Sequence, residues 1–341
     1  IYGRTFFIGL TLVGALGTAV IYWLGGLLAV SGAVSVGTVV ALGTYVTQIY
    51  TPLTSLTNAR VDLMTAFVSF ERVFEVLDAP NPIKDRPGAV DLVDPTGRVE
   101  IDEVTFAYPA ADEVSLASLE GTTGTALGST RSGHVLRGVT ATLEPGSLTA
   151  LVGPSGAGKS TLSSLIPRLY DVTEGAIRVD GADVRDLTQS SLRAEIGVVS
   201  QDPHLFHETV GANLRYARPG ATEDDIEAAC RAAQIHGVIA ALPDGFDTVV
   251  GERGYRLSGG EKQRLAIARM LLKDPAMVIL DEATSHLDSE NEAAIQRALD
   301  EALAGRTALV IAHRLSTITS ADQILVIDDG VITERGTHDQ L

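Results

Sequence analysis

The stretch Gly153-Pro154-Ser155-Gly156-Ala157-Gly158-Lys159-Ser160-Thr161 decides how the rest of the chain is interpreted. It follows an apolar run at residues 148–152 and precedes a helical pattern at residues 162–169. A strand, a loop with the spacing G-x-x-x-x-G-K-[ST] and a helix form a phosphate-binding loop, because the glycines let backbone N–H groups surround an anion. We expect Lys159 to reach the β- and γ-phosphates of a nucleoside triphosphate and the Ser160 hydroxyl to bind Mg²⁺. The alternative, a glycine-rich surface turn before a helix, is not favoured in this context.

The composition restricts the classes of protein and partner. A length of 341 residues suggests about two domains. The net charge of −17 argues against nucleic acid as a partner, because a nucleic-acid-binding face needs a basic stripe. The single cysteine, Cys230, excludes an internal disulfide framework and a cysteine-based metal cluster. The chain begins at Ile1 in apolar sequence and shows no signal-peptide cleavage pattern, so we expect the C-terminal part of a longer protein.

Residues 1–77 are organised around an uncharged stretch. Residues 5–59 contain no Asp, Glu, Lys, Arg or His, which is long enough for two membrane crossings of about 20 residues each. We expect spans at 6–30 and 36–56, joined by a tight turn. The flanking basic residues are Arg4, Arg60 and Arg72. By the positive-inside tendency both ends of this hairpin lie in the cytoplasm. The alternative, a core helix of a soluble domain, would normally show a polar face.

The remaining sequence divides into a linker and a second domain. Apolar residues recur at helical spacing over residues 60–77, so we expect the second span to continue as a helix into the cytoplasm. Residues 78–97 are rich in proline and glycine and are interpreted as a linker. A nucleotide-binding domain is expected over 98–341, beginning with an alternating strand at Val99. Within it, residues 110–133 lack apolar periodicity and are interpreted as a flexible insertion.

A pair of carboxylates follows another apolar run. Residues 277–280 are apolar and are followed by Asp281 and Glu282. A buried strand that ends in carboxylates suits a Mg²⁺ site beside a phosphate loop. We expect Asp281 to hold the metal, directly or through water. Glu282 is then placed to orient, or to accept a proton from, the water that attacks the γ-phosphate.

A second anion-binding helix end is predicted at Leu257-Ser258-Gly259-Gly260-Glu261-Lys262-Gln263-Arg264. The stretch precedes a helical pattern at residues 265–272. Ser258 is placed to cap that helix, and the two glycines leave its N-terminal amides accessible to an anion. One nucleotide needs only one phosphate loop, so this second anion-binding end indicates that two copies combine.

With these motifs in this order, the chain resembles the C-terminal part of an ATP-binding cassette exporter, a fused half-transporter of the multidrug and lipid exporter type. The resemblance covers nearly all residues from the second span to Leu341, and only the 110–133 insertion falls outside it. It implies an α/β P-loop NTPase fold with a RecA-like core, an antiparallel β subdomain and an α-helical subdomain, preceded by two transmembrane α-helices. It also implies that ATP, with Mg²⁺, is bound and hydrolysed to drive alternating access.

The resemblance assigns roles to individual residues. Tyr108 matches the aromatic residue that stacks on adenine. Glu252 matches a loop that touches the partner's coupling helices. His286 stands where the family usually has alanine. The implied catalytic residues are Lys159, Gln201, Glu282 and His313, and the implied metal ligands are Ser160, Gln201 and Asp281. The implied nucleotide contacts are Tyr108, Gly153, Pro154, Ser155, Gly156, Ala157, Gly158, Lys159, Ser160, Thr161, Gln201, Ser258, Gly259, Gly260, Glu261 and Asp288.

Three functions remain open at this point. The first is an exporter of the bacterial inner or plasma membrane, working as a homodimer because Glu282 and residues 257–261 are intact. Its partners would be a second half-transporter, membrane lipid and a cargo that these residues do not specify. The second is an exporter-like protein that imports a ligand such as a metal chelate. The third is a non-transport cassette ATPase, which the uncharged hairpin and the acidic composition disfavour.

Overall fold

The computed structural model describes residues 2–79, 81–109, 133–251, 257–281, 289–312 and 315–341. Contacts divide these residues into two units, one up to residue 79 and a larger one from residue 81 onward. Apart from Gly133, the predicted insertion at 110–133 lies outside the described residues.

The first unit is a pair of helices, Tyr2–Val30 (α1) and Val36–Leu77 (α2). Small residues let them approach closely, since a Cβ atom on Gly25 would lie 2.7 Å from Val39 Cγ1 and one on Gly43 would lie 2.7 Å from the Tyr22 hydroxyl. The helix α2 runs without interruption to Leu77, which confirms the predicted helical continuation beyond the second span.

Within the described residues, one helical segment, Thr11–Val30, is long and apolar enough to cross a membrane, and Val36–Ile49 is a shorter apolar helix. The first segment overlaps the predicted span at 6–30. The second is shorter than the predicted 36–56 and shorter than the roughly 20 residues that a crossing needs. The second crossing therefore stays a prediction.

The second unit contains two sheets in its described part. The strands are Val99–Phe106 (β1), Leu136–Leu143 (β2), Leu148–Val152 (β3), Glu174–Val179 (β4), Ala182–Asp183 (β5), Ile196–Val199 (β6), Met277–Asp281 (β7), Thr307–Ile311 (β8), Gln323–Asp328 (β9) and Val331–Gly336 (β10). One sheet is antiparallel with the order β2-β1-β4-β5. The other has the order β10-β9-β3-β8-β7-β6, and its strands are parallel apart from β10 at the edge.

Helices complete the second unit. They are Lys159–Leu165 (α3), Gln189–Ala194 (α4), Val210–Arg215 (α5), Glu223–Ala232 (α6), His236–Ala240 (α7), Gly259–Lys273 (α8), Ser289–Leu303 (α9) and Leu315–Thr319 (α10). Five of them, α5–α9, share a buried apolar cluster with residues of β6, β7 and β8. A parallel core, an antiparallel sheet and a helical region confirm the predicted fold class.

The central strands of the core sheet are buried on both faces. Leu151 of β3 packs with residues of the antiparallel sheet and with Leu162 of α3. Its neighbour Ala150 points to the opposite face and packs with Ile324 of β9. Successive strand residues point to opposite faces, so a strand buried on both sides reads as a continuous apolar run, as β3 does.

Residues 83–98, all but the last of which lie in the predicted linker, belong to the second unit and are hydrogen-bonded to the rest of it. The Asp85 carboxylate accepts hydrogen bonds from the backbone and side-chain N–H groups of Gln189. Val90 pairs with Leu187 as an isolated bridge. We call residues 83–98 the tethered segment.

Candidate nucleotide-binding site

The core sheet brings the predicted site residues to one edge. In the register of its parallel strands, Leu151 of β3 lies beside Ile311 of β8, which lies beside Asp281 of β7. Neighbouring strands are about 4.8 Å apart, so the end of β3 and the end of β7 are separated by about 10 Å. The glycine-rich loop leaves β3 just beyond this level. The loop and the carboxylate of Asp281 therefore flank one site at the carboxyl edge of the sheet.

Two glycines let the loop pass close to other parts of the chain. A Cβ atom on Gly153 would lie 2.0 Å from the Ile327 carbonyl oxygen of β9, a distance that no side chain tolerates. Gly158 has φ +107°, a conformation that L side chains rarely adopt, and a Cβ atom there would lie 2.7 Å from Leu136 Cδ2. The loop thus requires glycine at both positions for steric reasons that are independent of any ligand.

Lys159 is held against the backbone of its own loop. Its side chain is buried, with only 7% of the residue exposed. The ammonium group donates hydrogen bonds to the carbonyl oxygens of Gly153 and Pro154, both at 2.9 Å. A lysine ammonium has three donors, so it can hold both carbonyls and still donate to a phosphate oxygen. The fold thus places a fixed positive charge inside the loop.

The loop has an exposed half and a buried half. Pro154, Ser155, Gly156 and Ser160 are exposed, whereas Ala157, Gly158, Lys159 and Thr161 are buried. The helix α3 begins at Lys159 and ends at Leu165, earlier than the predicted 169. Pro167 has no N–H group to continue the helical hydrogen bonds, which explains the early end.

The predicted metal ligands supply oxygen atoms from three different elements. Asp281 is half-buried at the end of β7, Gln201 is exposed two residues after β6, and Ser160 is exposed in the first turn of α3. Among the described residues no group of three or more His, Cys, Asp and Glu side chains is placed to hold a metal. One carboxylate with a hydroxyl and an amide fits Mg²⁺, which keeps several waters and binds substrate phosphates as well.

Several predicted site residues lie outside the part of the chain that the structure describes. They are Glu252, Glu282, His286, Asp288 and His313. The strands that lead to two of them are described, since β7 ends one residue before Glu282 and β8 ends two residues before His313. Their roles stay predictions.

Tyr108 lies in an aromatic cluster beside the loop. Its hydroxyl is 3.0 Å from Thr161 Oγ1, which follows the lysine and serine of the loop. Its ring is nearly perpendicular to Phe106, with centroids 5.0 Å apart, and to Tyr170, with centroids 5.3 Å apart. With 47% of its surface exposed, Tyr108 retains area for a base to stack on.

Ser258 is the N-cap of α8, as the sequence predicts. Its hydroxyl accepts a hydrogen bond from the Glu261 backbone N–H, and the Glu261 carboxylate accepts one from the Ser258 backbone N–H at 2.7 Å. Glu261 therefore stabilises its own helix end, in addition to any contact with a nucleotide. Apart from its chain neighbours and the backbone of α8 itself, the described residues place no atom within 4 Å of a Cβ atom on Gly259, so they leave this side of the first turn open to an approaching group.

Two residues near the site were not predicted from the sequence. Tyr170 contacts Tyr108 across 62 positions of sequence, and Arg168 is an almost fully buried arginine that donates to the Lys84 carbonyl oxygen. They lie three and five residues beyond the end of α3. The sequence offers a weak signal for Arg168, because Asp171 at three residues' distance supplies a counter-charge, and none for Tyr170.

Comparisons with known proteins agree with this geometry. Residues 136–285 match the family model described as ABC transporter. The chain is 48% identical over 306 residues to ATP-binding cassette sub-family B member 6 of Homo sapiens, an alignment that covers 90% of this chain and 34% of that protein. It is 43% identical to the putative multidrug export ATP-binding/permease protein YgaD of Bacillus subtilis, over 93% of this chain and 51% of that protein.

A solved structure and a further relative extend the comparison. The structure of a bacterial Atm1-family ABC exporter with ATP bound superposes with a TM-score of 0.75 and 39% identity, covering 98% of this chain and 55% of that one. The heavy metal tolerance protein of Schizosaccharomyces pombe is 44% identical over 90% of this chain and 34% of its own length. The chain thus spans between about a third and about a half of the curated relatives that it matches.

Proposed function

This chain belongs to the ATP-binding cassette family of transporters, and on that premise we propose that it is the ATP-hydrolysing C-terminal part of a membrane exporter. One observation carries the proposal. The loop that buries Lys159 and the strand that ends in Asp281 meet at the same edge of the core sheet. A phosphate loop beside a carboxylate-ended strand is the arrangement that phosphoryl transfer requires.

Within this site the residues of the chain have different roles. The amides of the loop and the ammonium of Lys159 stabilise charge on the phosphates. Ser160, Gln201 and Asp281 would hold Mg²⁺, which would neutralise negative charge on the bound phosphates. Glu282 orients or deprotonates the attacking water, and His313 contacts the γ-phosphate. The support for these last two roles is the resemblance in sequence and their positions directly after β7 and β8.

A complete site is proposed to form between two copies of the chain. Ser258–Gly260 of one copy would cover the nucleotide held by the loop of the other, with Asp288 near the same interface. The capped and open N-terminus of α8 supports this role, because its amides can receive an anion. A homodimer is proposed because Glu282 and residues 257–261 retain the complete motifs. Binding of ATP would close the pair and hydrolysis would reopen it.

A groove lined by Ser200, the residue before Gln201, supports the proposal that the second unit couples to a membrane domain. The groove has a volume of about 350 Å³ and is lined partly by Val198, Phe206 and Lys273. Arg269 shapes one wall by donating a hydrogen bond to the His204 carbonyl oxygen at 2.7 Å. Val198 and Phe206 are about half exposed. Such an apolar groove with a few polar groups fits a helix of the membrane domain.

The protein is a membrane protein, as its exporter relatives imply. We propose the plasma membrane, or the inner membrane of a bacterium, with the ATPase in the cytoplasm and lipid around α1 and the first part of α2. The names of the relatives mention multidrug export and heavy metal tolerance. These names favour export over import. We therefore propose export, of a substrate that the names do not identify.

The test is transport by the full-length protein in sealed vesicles of both orientations, with a ligand panel that includes amphipathic drugs and metal chelates. We expect ATP-dependent accumulation of a ligand in inside-out vesicles, and its loss in Glu282→Gln. The variant should hydrolyse ATP about 100- to 10,000-fold more slowly while still binding it. Accumulation only in right-side-out vesicles would identify an importer. Normal turnover in Glu282→Gln would remove that residue from the mechanism.

A further inference from the structure

The ring of Tyr108 is fixed from three directions. Phe106 and Tyr170 stand at 81° and 88° to its plane, with centroids at 5.0 and 5.3 Å, and Thr161 Oγ1 lies 3.0 Å from its hydroxyl. We propose that Tyr170 is a positioning residue for the nucleobase, because it sets the plane of Tyr108 on which adenine stacks. This inference rests on the proposed binding of ATP at the loop. We call Phe106, Tyr108 and Tyr170 the aromatic triad.

The exposure of Tyr108 leaves ring surface available for a base. Aromatic pairs prefer perpendicular or offset contacts, because the negative face of one ring attracts the positive edge of another. Both Phe106 and Tyr170 contact Tyr108 in this perpendicular way, and neither is stacked on it. Tyr108 is 47% exposed, whereas Phe106 is only 2% exposed. The buried member anchors the triad to the core, and the exposed member presents the platform.

Tyr170 differs from Phe106 in how it is attached. Phe106 is the last residue of β1 and belongs to the antiparallel sheet. Tyr170 follows α3, the helix that carries Lys159, Ser160 and Thr161. Tyr108 therefore contacts α3 itself through the Thr161 hydroxyl and the segment that follows α3 through the Tyr170 ring. The position of the base platform is thereby fixed relative to the phosphate loop, which is what binding both ends of one nucleotide requires.

The alternative explanation is that Tyr170 contributes only packing and does not position the Tyr108 ring. Loss of packing would weaken the whole site, so the affinities for a nucleotide and for its triphosphate part alone would fall together. Loss of positioning would weaken only the contact with the base. Inorganic tripolyphosphate, which has no base, separates the two cases.

The experiment compares ATP and tripolyphosphate binding to the full chain, with Tyr170→Ala, Tyr170→Phe and, as a control, Leu169→Ala. Leu169 is the adjacent residue, is 51% exposed and has no place in the site. We expect Tyr170→Ala to weaken ATP binding about three- to tenfold and to leave tripolyphosphate binding unchanged. Tyr170→Phe keeps the ring and should restore ATP binding, and Leu169→Ala should behave as the unmodified chain.

A double-variant comparison completes the test. If Tyr170 acts through Tyr108, the Tyr170→Ala change should have little further effect on ATP binding once Tyr108 is alanine. Equal losses for ATP and tripolyphosphate, a Phe variant as weak as the Ala variant, or additive effects of the two changes would each overturn the inference. If the unmodified chain binds tripolyphosphate and binds ATP no more tightly, the proposed stacking of the base on Tyr108 is wrong, whereas phosphate binding by the loop is supported. If it binds neither, the proposed function itself fails.

Discussion

The phosphate loop at residues 153–161 and the tethered segment at residues 83–98 are both rich in turn-forming residues, yet they are ordered in different ways. Much of the order of the loop comes from its own residues, since Lys159 binds the carbonyl oxygens of Gly153 and Pro154. The tethered segment is fixed from outside by side chains more than 80 positions further along the chain. A motif that orders itself can be read from a short stretch of sequence, whereas a segment ordered by distant partners cannot.

Arg168 is the clearest of the distant partners. Its side chain is 2% exposed and forms an ion pair with Asp171, with Nε 2.7 Å from Oδ1. The same guanidinium donates to the Lys84 carbonyl oxygen at 3.0 Å. Because Arg168 lies three residues beyond α3, it connects the end of the phosphate-loop helix to the segment that leads back to α2. The two regions are therefore neighbours through one buried side chain.

Asp180 holds the other end of the tethered segment. Its carboxylate accepts hydrogen bonds from the backbone N–H groups of Thr96, Gly97 and Arg98 and from the Thr96 hydroxyl. Partial burial raises the pKa of Asp180, but these hydrogen bonds outweigh it and bring the pKa below its ordinary value of 3.8. This end of the tethered segment is thus held by an ionised carboxylate.

The largest expected difference between the two regions is in the rate of ATP hydrolysis after one lysine in each is replaced by alanine. Lys159→Ala removes the buried ammonium of the loop, and we expect ATP hydrolysis to fall by about 100- to 1,000-fold. Lys84→Ala is the matched control, because this lysine is exposed and contributes its backbone carbonyl to Arg168. Its hydrolysis rate should stay within about twofold of the unmodified chain. Phosphate release by the purified protein measures both, and equal rates in the two variants would contradict the assigned role of the loop.

An intermediate effect is expected for Arg168→Met, which keeps an apolar side chain of similar length. The Lys84 carbonyl and Asp171 lose their partner, and since Asp171 is 35% exposed, water compensates in part. We expect the local opening free energy of residues 83–91 to fall by about 2 kcal/mol. Hydrogen exchange of these amides measures it.

Arg86→Met is the control for Arg168→Met. Arg86 also links the tethered segment to the rest of the second unit, but its ion pair with Asp186 is exposed on both sides. An exposed pair of this kind contributes between 0 and about 1 kcal/mol. If Arg86→Met accelerated exchange as much as Arg168→Met did, burial of Arg168 would not be what orders the segment.

The smallest effect is the pH dependence contributed by Asp180. Its pKa is lowered in the folded protein, so its stabilising contribution is present above the ordinary pKa of 3.8 and is lost as the pH falls through the lower folded value. Asp180→Asn should therefore be less stable than the unmodified chain at neutral pH, and the difference should shrink below about pH 4. Thermal denaturation midpoints measured from pH 7 to pH 3 check this. A constant difference over that range would exclude a titrating carboxylate as the cause.

The sequence predicted the core of the site because the relevant spacings are local. The loop, the strand ending in Asp281 and the cap at Ser258 each depend on fewer than ten consecutive residues, and their described parts lie where the motifs place them. The order of residues 83–98 was not predictable in the same way. Proline and glycine indicate turns, but they do not reveal that Arg168 and Asp180 supply the hydrogen-bonding partners. The contact of Tyr170 with Tyr108 was missed for the same reason.

The central claim is that each ATP site is shared between two copies of the chain. Mixed dimers purified through two different tags test it, one copy carrying Lys159→Ala and the other Ser258→Asp. Aspartate keeps the helix cap of α8 while placing a negative charge against the phosphates. Each variant alone should be inactive as a homodimer. In the mixed dimer, one site combines an intact loop with an intact Ser258–Gly260, and we expect about half of the unmodified ATPase rate. A mixed dimer as inactive as its parents, or a Ser258→Asp homodimer with normal turnover, would contradict the shared site.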